Sequence, residues 1–494
     1  MLENTDGSPK DLDIDRGASI VARLNRIPVW SLSWLFVGVI GVGFLFTFFD
    51  IFDINVSFIQ TCTEIVKSCT PATASGIDYL GLAVTLNLVG YVIGTLLLSP
   101  LADRFGRRDM LLVTMLVTGI GSVATGLTGN LVAFDAARLI TGLGIGADLA
   151  IVNTYINEVA PPHHRARYTS IIFIMSALGA FFGIWLGLWL TTPATKFPLG
   201  LPFAIAGPTF TDGWRVMYFI GAGLALVGLS LRMQLPESPR WLVGRGRLND
   251  AEQVVASMET RASQRAKLRD PNAEDLAIAK ASLVSTDSAH SFTSYRAIFS
   301  SQVYKRRMVF LLVVWLLAYV TVYAIASGLT SFLVTLKFAP PEAGMIAAIG
   351  TFGFIACAIF ASIFGDRLER KLWMPISAVI TLVGALLIAI AGSDIGLSFL
   401  GSAILFFGFN LWVPMAYTWT TENFPTRART TGFAMVDGIG HLGGGLGILI
   451  IAPILPHVSK VEAVLLISGF LIVAAIIAQF GARTKGMTLE ETAP

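Results

Sequence analysis

One short packet of charge, Pro100–Leu101–Ala102–Asp103–Arg104–Phe105–Gly106–Arg107–Arg108, stands between two long apolar runs, and the chain carries it twice. The worn second copy is Gly365–Asp366–Arg367–Leu368–Glu369–Arg370–Lys371, with Asp366 lying 263 residues after Asp103. An unrelated trio keeps nearly the same offset: Glu158, Pro161 and Arg165 return as Glu422, Pro425 and Arg429, 264 residues on. Two independent motifs with one offset mean an internal duplication of about half the chain. Each half holds six apolar runs, the plan of a membrane protein built from two parallel repeats.

The runs are Trp34–Ile59, then 77–99, 110–129, 131–157, 168–191 and 214–235, followed by 308–336, 343–364, 372–391, 396–420, 431–455 and 461–480. Each approaches or exceeds the ~20 apolar residues that a spanning helix needs. Mean hydropathy is +0.71, and only 14% of the 494 residues are charged against 54% hydrophobic. Soluble domains carry nearer a quarter of charged residues, so this composition suits lipid.

Loop charge predicts orientation. One set of loops holds Arg104, Arg107, Arg108, Arg165, Arg167, Arg367, Arg370, Lys371, Arg427, Arg429, Arg483 and Lys485; the other holds Lys67, Lys196, Lys337 and Lys460, with Arg215 at a helix entrance. The bias puts both termini in the cytoplasm of a cell-membrane protein. Expected domains are a polar tail (1–29, no secretory leader), a six-helix bundle (30–235), a cytoplasmic linker (236–305), a second bundle (306–482) and a tail (483–494). Residues 192–213, rich in proline, read as an irregular outer cap. In the linker, 249–268 and 272–284 read as surface helices, the first opening on a capping-box-like Asn249 and Glu252.

A net charge of +3 without a basic stripe argues against nucleic acid. Three cysteines and no CxxC or HExxH leave no metal framework. Cys62 and Cys69 share a short loop and either pair or stay free; Cys357 lies in an apolar run and reads as packing. Nothing calls for a cofactor, and no nucleophile–base set suggests an enzyme.

The segment Ser99-Pro-Leu-Ala-Asp103-Arg104-Phe-Gly-Arg107-Arg108, together with Arg138, Gly142, Gly144 and Gly146, resembles the inner-loop and fourth-helix motifs of the major facilitator superfamily. Pro236-Glu-Ser-Pro-Arg-Trp-Leu242 and Thr484-Lys-Gly through Glu491 resemble its branch of sugar, organic-ion, aromatic-acid and phosphate transporters. Within that branch, Gly41-Val-Gly-Phe-Leu through Asp53-Ile-Asn, Gly144-Ile-Gly-Ala-Asp148 and Gly408-Phe-Asn410 look most like the phosphate:proton symporters. Departures are visible. Thr47 stands where that group has an acid, Trp315–Tyr319–Tyr323 replaces its Trp–Asp–Tyr series, and Ser176 is the nearest polar residue to its fifth-helix glutamine. The resemblance implies an all-α membrane fold of two six-helix bundles.

Ionisable groups inside a span cost several kcal/mol unless they meet a partner or a cavity. Asp50, Asp53, Arg138, Asp148, Asp437 and His441 stand out. Asp148, ten residues from both Arg138 and Glu158, should lie near the bilayer midplane. Asp50, Asp53 and Asp148 either carry protons or bind cargo, or form buried ion pairs with Arg138. Trp315, Tyr319 and Tyr323 make one stripe at i, i+4 and i+8, either packing or lining a cavity. Asn410 should bond a neighbouring helix or the cargo, and Asp437 and His441, one turn apart, could share a hydrogen bond. Asp103, Arg104, Arg107, Arg108, Glu158 and Arg165, with Asp366, Arg367, Arg370, Glu422 and Arg429, read as a conformational latch of ion pairs at inner helix ends.

The expectation is a monomeric carrier moving a small polar metabolite, organic acid or inorganic anion first, with protons, by alternating access. Sugar, polyol or organic cation is the alternative cargo, and a non-transporting sensor the alternative function.

Overall fold

The computed structural model describes residues 9–32, 34–66, 69, 74–161, 165–286, 291–424 and 429–485. Helix α1 (Pro9–Asn25) precedes six spanning segments. These are α2 (Trp34–Ile65); α3 (Ala74–Ile93), which runs through a π-helical turn at Gly94–Leu98 into α4 (Ser99–Phe105); α5 (Arg107–Leu127); α6 (Leu131–Val159); α7 (Arg165–Thr191); and α8 (Gly213–Arg232). The linker holds α9 (Pro239–Gly244), α10 (Leu248–Ser263), α11 (Ala273–Thr286) and α12 (Ser291–Ser300). The second six begin with α13 (Gln302–Ala326) and its short continuation α14 (Leu329–Thr335), then α15 (Pro340–Phe364) and α16 (Trp373–Ile390). They close with α17 (Ile395–Gly408) and α18 (Val413–Glu422), α19 (Arg429–Gly440) and α20 (Leu442–Ile451), and α21 (Lys460–Ala478). Among the described residues, 12 helical stretches are long and apolar enough to cross a membrane. Helix is the form that satisfies every backbone group within one segment in lipid.

The halves meet along two seams, α3 against α20 and α7 against α15. The fourth-helix glycines explain how α6 packs. A Cβ on Gly142 would lie 1.8 Å from the Asn87 carbonyl oxygen, and one on Gly146 2.1 Å from that of Tyr91. These two residues, one turn apart, let α3 and α6 touch backbone to backbone.

The amino-terminal segment is not a loose tail. Ala18, Ile20, Val21, Ala22 and Leu24 of α1 are buried, and α1 packs against α9, α10 and α11. Arg23 bonds Glu259 at 2.5 Å, Arg26 bonds Glu259 at 2.6 Å, and Arg16 bonds Glu252 at 2.7 Å. The Asn249–Glu252 capping box does not form. Helix α10 starts one residue earlier, with Arg247 at the cap position and no side-chain cap, and Arg16 takes both Asn249 and Glu252 as acceptors. Residues 192–212 form an irregular segment carrying two isolated bridges, Pro193 with Ala206 and Gly207 with Phe210. Cys62 and Cys69 are joined as a disulfide, and Cys357 is buried.

Candidate functional site

The charged end of the molecule is built from the repeated motif. Arg107, first residue of α5, bonds Glu158 near the end of α6 at 3.0 Å and donates to the Ala102 carbonyl at 2.7 Å. Glu237, in the α8–α9 connection, accepts from the Arg107 and Arg108 amides at 3.0 and 3.2 Å. Burial pushes the Glu237 carboxyl above its ordinary range, against these backbone donors. In the second half Arg370 reaches Asp366 at 2.8 Å and Glu422 at 3.6 Å. Arg104 and Arg367 lie over Phe105 and Phe364. The side chains of Asp103, Arg165 and Arg429 lie outside the described residues. Glu158 thus has Arg107 as its partner, and the Glu158–Arg165 pairing read from spacing lies beyond what is described. A narrow cleft of about 10 Å³, room for roughly one water, lies between the halves at this end, lined by Ser170, Ser362, Asp366, Arg370 and Thr418 among others.

The opposite end is closed by hydrogen bonds around the α13–α14 break. Asn55 of α2 donates to the Ile325 and Ala326 carbonyls at 2.9 and 2.7 Å and accepts from the Thr330 amide at 3.0 Å. Ser327 donates to the Ile51 carbonyl at 3.0 Å. Asn55 was no candidate in the sequence, where its polar side chain in an apolar run was the available signal.

Between these ends lie three polar clusters. In the first, Arg138 of α6 bonds Asp50 of α2 at 2.7 Å, with both side chains about 2% exposed, and the guanidinium sits 5.6 Å from the Tyr218 ring of α8. Asp53, one turn beyond Asp50, is fully buried. Neither of its oxygens has a hydrogen-bond partner among the described residues, and the same holds for Asp50 Oδ2.

The second cluster is a correction. Asp148 does not join Asp50 and Arg138. Arg232, at the end of α8, donates to both its oxygens, to Oδ2 at 3.0 Å, and Thr114 of α5 donates to Oδ1 at 2.8 Å. Arg232 also reaches the Ile40 carbonyl of α2 at 3.3 Å. The ten residues between Arg138 and Asp148 leave the helix about 80° short of three whole turns. Depth along the axis is therefore compatible with the spacing while the face differs, and Asp148 is enclosed inside the first bundle. Arg232 was missed although it lies within the sixth apolar run.

The third cluster spans the seam between halves. The second bundle breaks three spans near it: α13–α14 at 327–328, α17–α18 at 409–412, and α19–α20 at His441. Tyr91 of α3 donates to Asp437 Oδ2 at 2.8 Å, and Tyr319 to Oδ1 at 3.3 Å. The His441 ring stacks on Tyr91 at 4.0 Å and tilts against Tyr319 at 4.1 Å. Its Nδ1 lies 2.7 Å from the Asp437 carbonyl oxygen and 3.5 Å from Asp437 Oδ1. Trp315 stacks on Tyr417 at 5.5 Å and meets Trp412 at 5.1 Å; Tyr323 meets Tyr319 at 5.8 Å. The stripe Trp315, Tyr319 and Tyr323 therefore joins Asp437 and His441, while Tyr91, Trp412 and Tyr417 are additions that only the fold supplies. Asn410 is buried in the α17–α18 break. Ser176 is buried on α7 with its hydroxyl unbonded among the described residues, and no contact brings it to this cluster.

Twelve spanning helices in two duplicated halves, with buried charge at their meeting point, define a secondary transporter of the major facilitator type. Residues 34–494 match the family described as sugar (and other) transporter, and the chain belongs to that family. Among its relatives, the niacin transporter NiaP of Acinetobacter baylyi is 26% identical, over 95% of this chain and 99% of that protein. The 4-hydroxybenzoate transporter PcaK of the same organism is 26% identical over 86% of each. In fold the chain is similar to the proton:xylose symporter XylE of E. coli, with a TM-score of 0.72 at 22% identity, covering 93% of this chain and 98% of that one. These relatives are transporters, not enzymes. The finer likeness to phosphate:proton symporters is not among these findings.

Proposed function

We propose that the chain is a proton-coupled symporter of a small organic acid bearing a planar ring. The carrying observation is the aromatic cluster at the seam. Rings from both halves, Tyr91 on one side and Trp315, Tyr319, Tyr323, Trp412, Tyr417 and His441 on the other, surround a single carboxyl, Asp437. Stacked ring faces select flat ligands, and the tyrosine hydroxyls offer polar handles. The α17–α18 break with Asn410 and the α19–α20 break at His441 match the discontinuous helices that frame cargo in carriers of this plan. Two relatives named for niacin and 4-hydroxybenzoate agree with a ring-bearing acid.

Proton coupling is supported by the acids of α2 facing Arg138. Closing the carrier around a bare charge costs several kcal/mol, so the empty form crosses with the cluster neutral. The repeated charged motif is read as the latch between open states, and the loop bias supports a cytoplasmic position for the charged end and both termini. The chain is taken to work as a monomer in the cell membrane.

The test is uptake into vesicles holding the purified protein, with a pH gradient imposed and nicotinate, 4-hydroxybenzoate, phosphate or xylose outside. Accumulation of a ring acid, collapsed by a protonophore, is expected. Accumulation of phosphate or xylose in its place would overturn the cargo class, and uptake indifferent to the gradient would overturn the coupling.

A further inference from the structure

Asp50 and Asp53 sit one turn apart on α2, but the fold treats them differently. Arg138 bonds Asp50 at 2.7 Å. Asp53 is fully enclosed, and both its oxygens lack a partner among the described residues. The Ile54 amide lies beside its carboxyl, and Arg138 is within electrostatic reach. The groups around it come from every helix packed on this stretch. Asp50 lies on its own helix. Arg138, with Asp135 one turn nearer the start, lies on α6, and Tyr218 reaches in from α8. Tyr323 of α13 lies within electrostatic reach of Asp50 and Arg138, and α7 brings the Gly183 backbone against the Asp53 amide. Ser57, one turn beyond Asp53, and Tyr218 bring two hydroxyls together beside it. One guanidinium therefore faces two carboxyls, and its ion pair goes to the first.

We propose that Asp53, rather than the paired Asp50, seats the transported proton. A buried carboxylate that has no ion pair of its own, with the nearby guanidinium bonded to another acid, is far costlier than the neutral acid. In this closed form Asp53 keeps its O–H bond, and Asp50 with Arg138 forms a fixed, self-compensated pair. Opening toward one side brings water to Asp53, and the O–H bond breaks with the proton passing to that water. Opening toward the other side allows the reverse step from hydronium. The neighbouring Ser57 and Tyr218 hydroxyls stabilise the ion while the site is wet. This assignment rests on the proton-coupled reading above.

Two measurements on the full chain in lipid separate the two claims. The first is labelling by an apolar carbodiimide, which reacts with protonated buried carboxyls, followed by mass-spectrometric mapping of α2. The adduct is expected on Asp53; an adduct on Asp50, or none on Asp53, overturns the assignment whether or not any cargo is moved. The second compares variants on the cargo that the vesicle panel identifies. Asp53→Asn should drop gradient-driven accumulation at least tenfold while lowering counterflow, the swap of labelled for unlabelled cargo, far less. Asp50→Asn, which strips Arg138 of its bonded acid, should lower both together. Equal loss of both activities in a folded Asp53→Asn protein, or preserved accumulation, overturns the proposal. If the native chain accumulates nothing against a pH gradient, the coupling reading falls, and the adduct site still decides where the proton sits.

Discussion

Arg107 faces Glu158 at 3.0 Å and joins the start of α5 to the end of α6; in the second half Arg370 faces Glu422 at 3.6 Å. Arg370 follows Arg107 by 263 residues and Glu422 follows Glu158 by 264, so the duplication preserves a contact and not only a pattern. Glu422 additionally accepts from Thr484 at 2.5 Å, which ties the segment after α21 to the same group.

If this pair is a latch, removing its charge should alter the balance of states and leave the cargo site untouched. Glu158→Gln is expected to slow turnover by about tenfold, the scale of one charged hydrogen bond, while cargo affinity changes less than twofold. Affinity measured by calorimetry and turnover measured in vesicles decide it; loss of binding in a folded protein would make Glu158 something other than a latch.

Asn55 closes the opposite end. Asn55→Ala removes its bonds to Ile325, Ala326 and Thr330, so states open at that end should gain population. A cysteine at Ser331, buried in this form, should then react faster with a water-soluble maleimide. Because Cys62 and Cys69 are paired and Cys357 is buried, background labelling should be low. An unchanged rate would show that the bonds do not hold the gate.

The Asp148–Arg232 pair predicts a stability effect rather than a transport one. Breaking one partner of a buried pair costs about 3–5 kcal/mol, whereas replacing both by apolar residues is often nearly neutral. Arg232→Met should therefore lower the unfolding midpoint sharply, and Asp148→Leu combined with Arg232→Met should recover most of the loss. A double variant as unstable as the single one would contradict a purely structural pair.

The α1 clamp should depend on pH through Glu259. Burial pushes its carboxyl upward, but the bonds from Arg23 and Arg26 outweigh this and hold it below the usual glutamate range. A group held lower in the folded state adds stability above its unfolded value, and that stability is lost as pH falls through the folded value. Hydrogen exchange of α1 should thus be slow and flat at neutral pH and quicken below about pH 4. Glu259→Gln should show the fast exchange already at neutral pH; slow exchange in that variant would assign the clamp to the apolar face of α1.

The cytoplasmic placement of the linker is open to a labelling check. A cysteine at Ser257, exposed on α10, should resist an impermeant thiol reagent in intact cells, while one at Ala194, exposed on the irregular segment after α7, should react. The reverse pattern would overturn the orientation drawn from loop charge.

Sequence alone determined the features set by composition and by position along an axis. Apolar length dictates spanning helices, because no other single segment satisfies its backbone in lipid. Nearly equal offsets of Asp103 to Asp366 and Glu158 to Glu422 dictate two equivalent halves, and spacing placed Trp315, Tyr319 and Tyr323 on one stripe. Tertiary structure decided which faces meet. It gave Asp148 to Arg232 and Arg138 to Asp50, and left Asp53 without an ion pair of its own among the described residues. It brought Tyr91, 346 residues away in the chain, to Asp437, and it folded α1 onto the linker through Glu259. Rotation about each helix, and the partner it turns toward, follow from packing among all the helices at once, so no local spacing contains them.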